Sequence, residues 1–187
     1  MQKAILLLLI RLQSREITSK KLALDAFKKT RERIRSMSLI HNKLYQSKDF
    51  SHINMKDYIE SIVSELCNAY GVRKQIRFNI QIRNVFLDIN QSIPCGLIIN
   101  EILTNTFKYA FPNDKKGTVR IYFSPVNDST YKLIIKDDGK GLPDNVDMNK
   151  SLGFRIINTL VEQIDAELQI KNENGTCFTM ILHKNKS

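Results

Sequence analysis

The sequence of 187 residues predicts an α+β protein, in which a helical segment precedes a mixed sheet with helices on one face. Three observations predict this class. Residues 4–48 contain no Gly or Pro and repeat apolar residues at helical spacing. Further along, short segments of alternating apolar and polar residues predict strands. Two longer apolar segments between those strands, bounded by turns rich in Gly, Asn and Asp, predict helices.

The amino-terminal segment, residues 1–52, is predicted to form two helices with a turn near Thr18–Lys20. Its apolar stripe consists of Leu22, Phe27, Ile34, Leu39 and Leu44. Two helices bury little surface by themselves, so we expect a second copy of the chain to complete a four-helix bundle. The segment therefore predicts a homodimer.

Positive charge is concentrated in the same segment, which holds 12 Lys or Arg against 4 Asp or Glu, whereas residues 53–187 hold 17 against 15. Such a field favours an acidic partner, although a solvated helix face explains it equally well. Nucleic acid is not an expected partner, because the sequence has no Trp and no interleaving of basic and aromatic residues.

Residues 53–187 are predicted to form the second domain, which opens with a helix that Asn54 caps and Gly71 ends. The further predicted elements are strands at 77–82 and 85–89, a helix from Ser92 to Phe111, strands at 118–126 and 131–138, a helix at 152–164, and a hairpin of strands 166–172 and 177–183.

Composition also bears on location and on metal chemistry. No apolar run reaches the roughly 18 to 20 residues of a membrane span, and we expect a cytoplasmic protein. The three cysteines form no C-x-x-C pair, as is typical of thiols in a reducing compartment. No zinc-type site is predicted, because the cysteines and the three histidines lack ligand spacing.

The segment NEILTNTFKYAFPNDKKG, residues 100–117, predicts a helix with an unusual polar stripe. At about 3.6 residues per turn, Glu101, Asn105 and Lys108 stack on one side of this helix. A solvated surface stripe is the simpler interpretation. Asn is a poor helix former, however, so its place beside a Glu in mid-helix favours a ligand-facing role.

Three glycine-bearing turns follow along the chain. DDGKGLP ends a strand with Asp137, which can accept a hydrogen bond from an amino group such as that of adenine, while Gly139 and Gly141 permit close approach of a ligand. In SLGFRIIN, Gly153 stands at a helix start, where backbone N–H groups can bind phosphate. NGT lies in the last hairpin. Taken singly, each is also explained as a plain turn or a packing glycine, and for NGT the simple hairpin turn is the favoured interpretation.

The order and spacing of these four motifs resemble the ATP-binding domain of sensor histidine kinases, in the superfamily shared with gyrase, the heat-shock chaperone ATPase and MutL-type proteins. NEILTNTFKYAFP is similar to the N box, DDGKGLP and SLGFRIIN to the first two glycine boxes, and NGT to the last. The likeness covers about residues 54–184. LIRLQSR and RIRSMSLIHNKLYQS extend it over nearly the whole chain, to the histidine-kinase subfamily related to the HWE kinases.

This resemblance implies a helical dimerisation hairpin followed by a Bergerat-type α/β sandwich that binds ATP and Mg²⁺. In the N box, Glu101 would act near the γ-phosphate as a general base or polarising residue. Asn105 would coordinate the Mg²⁺ that bridges the phosphates. Lys108 would steady phosphate charge, and Tyr109 would line the nucleotide site.

The resemblance also implies roles for the glycine-bearing motifs. Asp137 would accept a hydrogen bond from the adenine amino group. Thr176 would support the adenine from the final strand. The nucleotide lid, at residues 139–152, would be shaped by Gly139, Gly141 and Gly153.

The phosphoacceptor histidine departs from the family pattern. Aligning LIRLQSR places the acceptor position just upstream of Met1, so we expect this chain to lack its own acceptor. His41, in LIHNKLY, matches a usual residue of the second helix and is the less favoured candidate.

The resemblance thus implies an ATP-dependent protein histidine kinase, whose partner is the receiver domain of a response regulator. Two alternatives stay open: a nucleotide-binding regulatory module without autophosphorylation, and an anti-sigma-type serine kinase on the same fold. The helices before residue 53 argue against the serine kinase, since such kinases need no dimerisation hairpin.

Overall fold

A computed structural model describes residues 53–72, 75–113, 115–143 and 151–184. The helical hairpin expected at 1–52, the boundary near His52, and residues 144–150 of the expected lid lie outside the described residues. In chain order the elements are β1 (Ile53–Asn54), α1 (Met55–Tyr70), β2 (Ile76–Ile82), β3 (Phe86–Leu87), α2 (Ile89–Asn105) with a π-helical turn (Thr106–Ala110), β4 (Gly117–Asn127), β5 (Thr130–Asp137), α3 (Leu152–Gln163), β6 (Ala166–Asn172) and β7 (Thr176–His183).

A five-stranded mixed sheet organises the domain, in the order β2-β4-β5-β7-β6. Strands β2 and β4 are parallel, and the other neighbours are antiparallel. Because side chains alternate along a strand, Val119, Ile121 and Phe123 of β4 point into the core while the residues between them stay partly exposed. The helices share this core, which confirms the predicted α+β class.

Helix α1 has the ends that its sequence predicts. The Asn54 side chain accepts a hydrogen bond from the Lys56 N–H at 3.0 Å, which satisfies one of the free donors of the first turn. Gly71 ends the helix in the left-handed conformation, at φ 67°, and its N–H donates to the Cys67 carbonyl. Among the described residues no helix combines the length and apolar character needed to cross a membrane.

The start of α2 corrects the prediction for residues 85–89. Only Phe86 and Leu87 are extended, and they pair with β1 as a separate two-stranded ladder. Asp88 caps α2 instead of continuing the strand, because its carboxylate accepts from the Asn90 N–H at 2.7 Å and from the Gln91 N–H at 2.9 Å. The helix therefore begins at Ile89, three residues before the predicted Ser92.

The end of α2 also differs from the predicted helix to Phe111. The α-helix ends at Asn105, and Thr106–Ala110 form a single π-helical turn. In that turn hydrogen bonds span five residues, so each residue turns through a smaller angle than in an α-helix. A stripe drawn at α-helical spacing therefore cannot be extended from Asn105 to Lys108.

Candidate nucleotide-binding site

A cavity of about 340 Å³ opens where the end of α2, the loop after β5, the start of α3 and the β6–β7 hairpin meet. This volume falls within the range of roughly 300 to 1,000 Å³ found for small-molecule sites. It is lined by Asn105, Thr106, Tyr109, Ala110, Asp137, Lys140, Gly141, Leu142, Pro143, Ser151, Phe154, Thr176 and Phe178. All four sequence motifs contribute to this wall.

Five of the residues selected from sequence line the cavity, namely Asn105, Tyr109, Asp137, Gly141 and Thr176. They come from three separate stretches of the chain, and the sheet and α2 bring them together. Tyr109 is 57% exposed, which puts its ring at the open side of the cavity.

Asp137 is the most buried polar residue of the cavity wall, with 3% of its surface exposed. One carboxylate oxygen accepts hydrogen bonds from the Gly139 N–H at 2.9 Å and from the Thr176 N–H at 3.2 Å. Burial raises the pKa of Asp137, and Asp138 adds to the rise, while the bonds from Gly139 and Thr176 oppose it. The result is a fixed acceptor at the inner end of the cavity.

The neighbouring Asp138 lies one residue beyond the end of β5 and does not line this cavity. Its carboxylate is exposed and accepts from the Thr118 N–H at 2.7 Å. It borders a second cavity of about 540 Å³, which Arg77 and Lys116 also line. None of the nine selected residues lines that second cavity, so its larger volume does not make it the candidate site.

The NGT motif forms a tight turn that packs onto Asp137. Gly175 has φ 110°, and a Cβ added there would lie 3.0 Å from the Asp137 carboxylate and overlap its backbone carbonyl. Only a glycine allows this approach. The turn is therefore more than a simple hairpin connection, because it brings the Thr176 N–H onto the carboxylate.

Glu101 and Asn105 meet α3 at Gly153. A Cβ added to Gly153 would lie 3.3 Å from the Asn105 side-chain nitrogen and 3.4 Å from a Glu101 carboxylate oxygen. Glu101 is buried, which excludes the interpretation of its position as a solvated stripe. Ser151 begins α3 without a side-chain capping bond, and it lies on the cavity wall. Asn105 thus lines the cavity, whereas Glu101 and Gly153 lie next to it without lining the cavity.

The first glycine-bearing turn is fixed to the end of α2. The Lys140 N–H donates to the Ala110 carbonyl at 3.0 Å. A Cβ on Gly139 would lie 2.5 Å from the Ala110 side chain and 2.6 Å from its carbonyl oxygen, which is closer than any real contact. Gly139 therefore supports the wall of the cavity without lining it.

Lys108 is the selected residue that the structure places elsewhere. Its ammonium lies 5.4 Å from the centre of the Tyr70 ring, a cation–π arrangement at the end of α1. It does not line the cavity in this structure. The π-helical turn accounts for the difference, because it rotates Lys108 out of the line of Glu101 and Asn105.

The apolar part of the wall was not predicted from the sequence. Phe154 and Phe178 stack with ring centres 6.4 Å apart, and Leu142 and Pro143 complete this side. The available signal was their place inside the motifs: Phe154 follows Gly153 directly, and Phe178 lies two residues after Thr176, on the same face of β7.

The fold, an α+β sandwich whose cavity is walled by all four motifs, agrees with an ATPase domain of the Bergerat type. The sequence profile described as histidine kinase-, DNA gyrase B-, and HSP90-like ATPase matches residues 90–186, and a profile described as histidine kinase matches residues 4–70. The chain belongs to the histidine kinase-, DNA gyrase B-, and HSP90-like ATPase family. It carries the pair of domains found in histidine kinases, which confirms the resemblance drawn from its motifs.

Individual relatives agree with this assignment. Blue-light-activated histidine kinase 2 of Erythrobacter litoralis is 30% identical over 115 residues, or 60% of this chain and 33% of that protein. Sensor histidine kinase PdtaS of Mycolicibacterium smegmatis is 30% identical over 165 residues, or 86% of this chain and 32% of that protein. This chain therefore spans about one third of the length of both curated relatives.

Solved structures agree on the fold. The histidine kinase domain of the EL346 blue-light-activated histidine kinase from Erythrobacter litoralis has a TM-score of 0.75 at 23% identity, covering 96% of this chain and 95% of that domain. A longer structure of the same kinase has a TM-score of 0.75 at 26% identity, covering 86% of this chain and 55% of that chain.

Proposed function

We propose that this chain is the catalytic part of a two-component sensor histidine kinase. It binds Mg-ATP in the cavity at the end of α2, and the γ-phosphoryl group passes to a histidine and then to the receiver domain of a response regulator. Because ATP is an intracellular substrate, we assign this part of the protein to the cytoplasm. The domain division at residues 52 and 53 and the homodimer through the amino-terminal helices belong to the same proposal.

The observation that carries this proposal is the buried Asp137 carboxylate at the inner end of a cavity of about 340 Å³. A carboxylate that is fixed by two backbone donors and still faces a cavity can accept a further hydrogen bond from a ligand amino group. The stacked Phe154 and Phe178 rings offer an apolar surface on the same wall, which suits a planar base.

A second part of the cavity wall suits the phosphates. The residues there are Asn105, which lines the cavity, and Glu101 and Gly153 behind it. An amide oxygen is a hard ligand of the type that Mg²⁺ accepts, and Mg²⁺ in nucleotide sites takes few protein ligands and relies on phosphate oxygens. The described residues contain no group of three or more His, Cys, Asp or Glu that could hold a metal alone. Asn105 would therefore hold Mg²⁺ together with the nucleotide, and the ion would neutralise phosphate charge.

In this proposal the residues act mainly by positioning and by electrostatics, as phosphoryl transfer requires. Asp137 and Thr176 fix the base, and Tyr109 covers the open side. Glu101 polarises the attacking imidazole or accepts its proton as the bond from the γ-phosphorus to ADP breaks. Lys108 would have to leave the Tyr70 ring to reach phosphate, so we assign it a role only in the nucleotide-bound state.

Neither alternative is better supported than the histidine kinase. An anti-sigma F factor of Heyndrickxia coagulans is 22% identical over 98 residues, or 46% of this chain and 65% of that protein. The histidine kinase profile over residues 4–70 favours the kinase, because it covers the helical segment that a serine kinase of this fold does not need.

The nucleotide site is tested by calorimetric titration of the chain with Mg-ATP. We expect Asp137→Asn to weaken binding at least tenfold, because the amide cannot accept in the same way from the adenine amino group, and charge-assisted hydrogen bonds contribute about 1.5 to 3 kcal/mol. Asp138→Asn is the matched control, since it changes the same charge one residue further on and does not line the cavity. Equal affinities of the wild type and Asp137→Asn would refute the assignment of Asp137.

The same titration has a pH dependence. Since the pKa of Asp137 is raised, its carboxylate gains a proton at a higher pH than an ordinary Asp. We expect ATP affinity to fall as pH decreases through this pKa. The fall should be smaller in Asp137→Asn, where only the phosphates of ATP and other groups titrate.

Phosphoryl transfer is tested separately with ATP labelled at the γ-phosphate. We expect nucleotide binding by this chain, and acid-labile, base-stable label when a protein segment that carries an acceptor histidine is supplied. Label on the chain itself that disappears in His41→Gln would contradict the assignment of the acceptor. An Asp165→Asn variant, altered at an exposed turn away from the cavity, serves as the control for general damage.

A further inference from the structure

The side chain of Asn172, at the end of β6, forms two hydrogen bonds with the backbone of Leu142. The Leu142 N–H donates to Asn172 Oδ1 at 3.0 Å, and Asn172 Nδ2 donates to the Leu142 carbonyl at 2.8 Å. One side-chain amide thus satisfies both polar groups of one residue, as a partner strand would. We call this pair of bonds the Asn172 clamp.

The clamp acts on the part of the loop that forms the cavity wall. Leu142 and its neighbours Gly141 and Pro143 all line the cavity, and all three belong to the expected lid at residues 139–152. Gly141 has φ 76°, and a Cβ added there would overlap Asn172 Oδ1. The loop therefore approaches Asn172 as closely as a glycine permits.

The strand register connects the clamp to the inner end of the cavity. Asn172 pairs with Thr176 across the β6–β7 hairpin, and the Thr176 N–H donates to Asp137. The same short hairpin thus holds the buried carboxylate on one side and the loop wall on the other. The distance between these two walls depends on Asn172 as well as on the residues that face the ligand.

We propose that Asn172 is a positioning residue, which fixes Leu142 and Pro143 as a preformed wall of the nucleotide cavity before ATP binds. This inference rests on the proposed function of the cavity. Neither the resemblance nor the motifs selected Asn172, because it follows the last apolar residue of β6 and looks like an ordinary hairpin polar residue.

Because of where Asn172 lies, its substitution should affect the loop without affecting the stability of the fold. The residue is exposed and lies at the end of an edge strand, so its removal leaves no hole in the core. Each of its hydrogen bonds contributes about 0.5 to 1.5 kcal/mol. Without the clamp the loop samples more conformations, and the nucleotide must then order it at a cost in affinity.

The first experiment compares Asn172→Ser with Gln169→Ser, which removes another exposed amide of β6 on the opposite, outward side of the sheet. Hydrogen exchange in the ligand-free chain should show faster exchange of the Leu142 N–H in Asn172→Ser only. Calorimetry with Mg-ATP should show affinity reduced on the order of three- to tenfold in Asn172→Ser and unchanged in Gln169→Ser. Both variants should keep the melting temperature of the wild type to within a few degrees.

The second experiment uses Asn172→Asp, whose introduced group can restore the clamp by taking up a proton. The carboxylate cannot donate to the Leu142 carbonyl, whereas the neutral acid has one donor and one acceptor like the amide. Because position 172 is exposed, the introduced Asp should titrate in the ordinary range, and we expect the ratio of its ATP dissociation constant to that of the wild type to fall towards one as the pH is lowered from about 6 to about 3.5. The wild type at each pH corrects for the titration of Asp137.

The outcomes distinguish the two proposals. If neither the wild type nor Gln169→Ser binds Mg-ATP, the proposed function fails and the role of Asn172 fails with it. If both bind and Asn172→Ser binds equally well, or if the ratio for Asn172→Asp does not change with pH, only the positioning role is overturned. Weaker binding with rapid Leu142 exchange and recovery at low pH supports it.

Discussion

At the scale of single residues, two buried hydroxyl groups have no hydrogen-bond partner among the described residues, those of Tyr58 and Thr104. Tyr58 packs against Gly96 so closely that a Cβ added there would overlap its hydroxyl. Burial raises the pKa of Tyr58 well above its ordinary value and that of nearby Cys95 to about 12. The Tyr58 hydroxyl therefore contributes no hydrogen bond to the stability of this part of the core.

We therefore expect Tyr58→Phe to leave the free energy of unfolding unchanged or to increase it by up to about 1 kcal/mol, because an unsatisfied buried hydroxyl is removed. The matched control is Tyr131→Phe, since Tyr131 is equally buried and its hydroxyl donates to the Phe86 carbonyl at 3.3 Å. That control should lose about 0.5 to 1.5 kcal/mol. Urea denaturation measures both, and a Tyr58→Phe loss as large as the control would reveal a missed partner.

Residue identities let the sequence predict much of the site, but not its hydrogen bonds. Asn105 and Asp137 were noted from their local settings, as an amide in mid-helix and a carboxylate at a strand end, whereas Thr176 was selected only through the resemblance to the family. The Asn172 clamp was not foreseen, since it joins residues 30 positions apart and neither partner is unusual locally. Local patterns carry no information about such a pair.

At the scale of elements, the end of a helix could be predicted from the sequence where a single residue type determines it. Asn54 and Gly71 were both assigned correctly, because a cap acceptor and a left-handed glycine each have few substitutes. Asp88 was predicted to be part of a strand, because apolar and polar residues alternate in VFLDI, and its role as the helix cap was not recognised. The π-helical turn after Asn105 has no known short signature, and it moved Lys108 away from the expected line.

Substitution of Gly71 tests whether backbone conformation alone ends α1, without a contribution from side-chain packing. No atom lies within 4 Å of a Cβ added there, so the only penalty of substitution is the left-handed φ of 67°. We expect Gly71→Ala to lower the free energy of unfolding by about 1 to 2 kcal/mol. Gly71→Asn should lose less, because Asn tolerates this conformation better. Equal losses for Ala and Asn, measured by thermal denaturation, would show that something other than backbone conformation ends α1.

At the scale of the whole molecule, the site is a product of the sheet order. Strands β5 and β7 are neighbours in the sheet, and this places Asp137 beside Thr176 although 38 residues separate them in sequence. Helices α2 and α3 then pack on the same sheet face and bring Asn105 to Gly153. The α+β class could be predicted from the periodicity of apolar residues. That these distant residues meet at one cavity could be predicted only from the resemblance of the four motifs, in their order, to a known family.

The proposed division at residues 52 and 53 has a direct consequence for assembly. The core of the described residues runs from Met55 to Leu182, with helices and sheet closing on one another. We expect a fragment of residues 53–187 to unfold cooperatively, to be a monomer, and to bind Mg-ATP with an affinity within a few-fold of the whole chain. The whole chain should be a dimer, because its two predicted amino-terminal helices bury little surface alone.

Sedimentation equilibrium and calorimetry on both proteins test this division together. The start of this fragment is the part of the proposed boundary that the experiment tests most directly. Strand β1 begins at its first residue and pairs with β3, where Phe86 is 46% exposed. If the fragment aggregates while a fragment starting about ten residues earlier does not, the boundary lies further upstream and Phe86 is covered by the helical segment. If the fragment itself forms the dimer, the amino-terminal helices are not the dimer interface. A monomeric, ATP-binding fragment beside a dimeric whole chain would support both parts of the division, since nucleotide binding and self-association would then reside on opposite sides of residue 53.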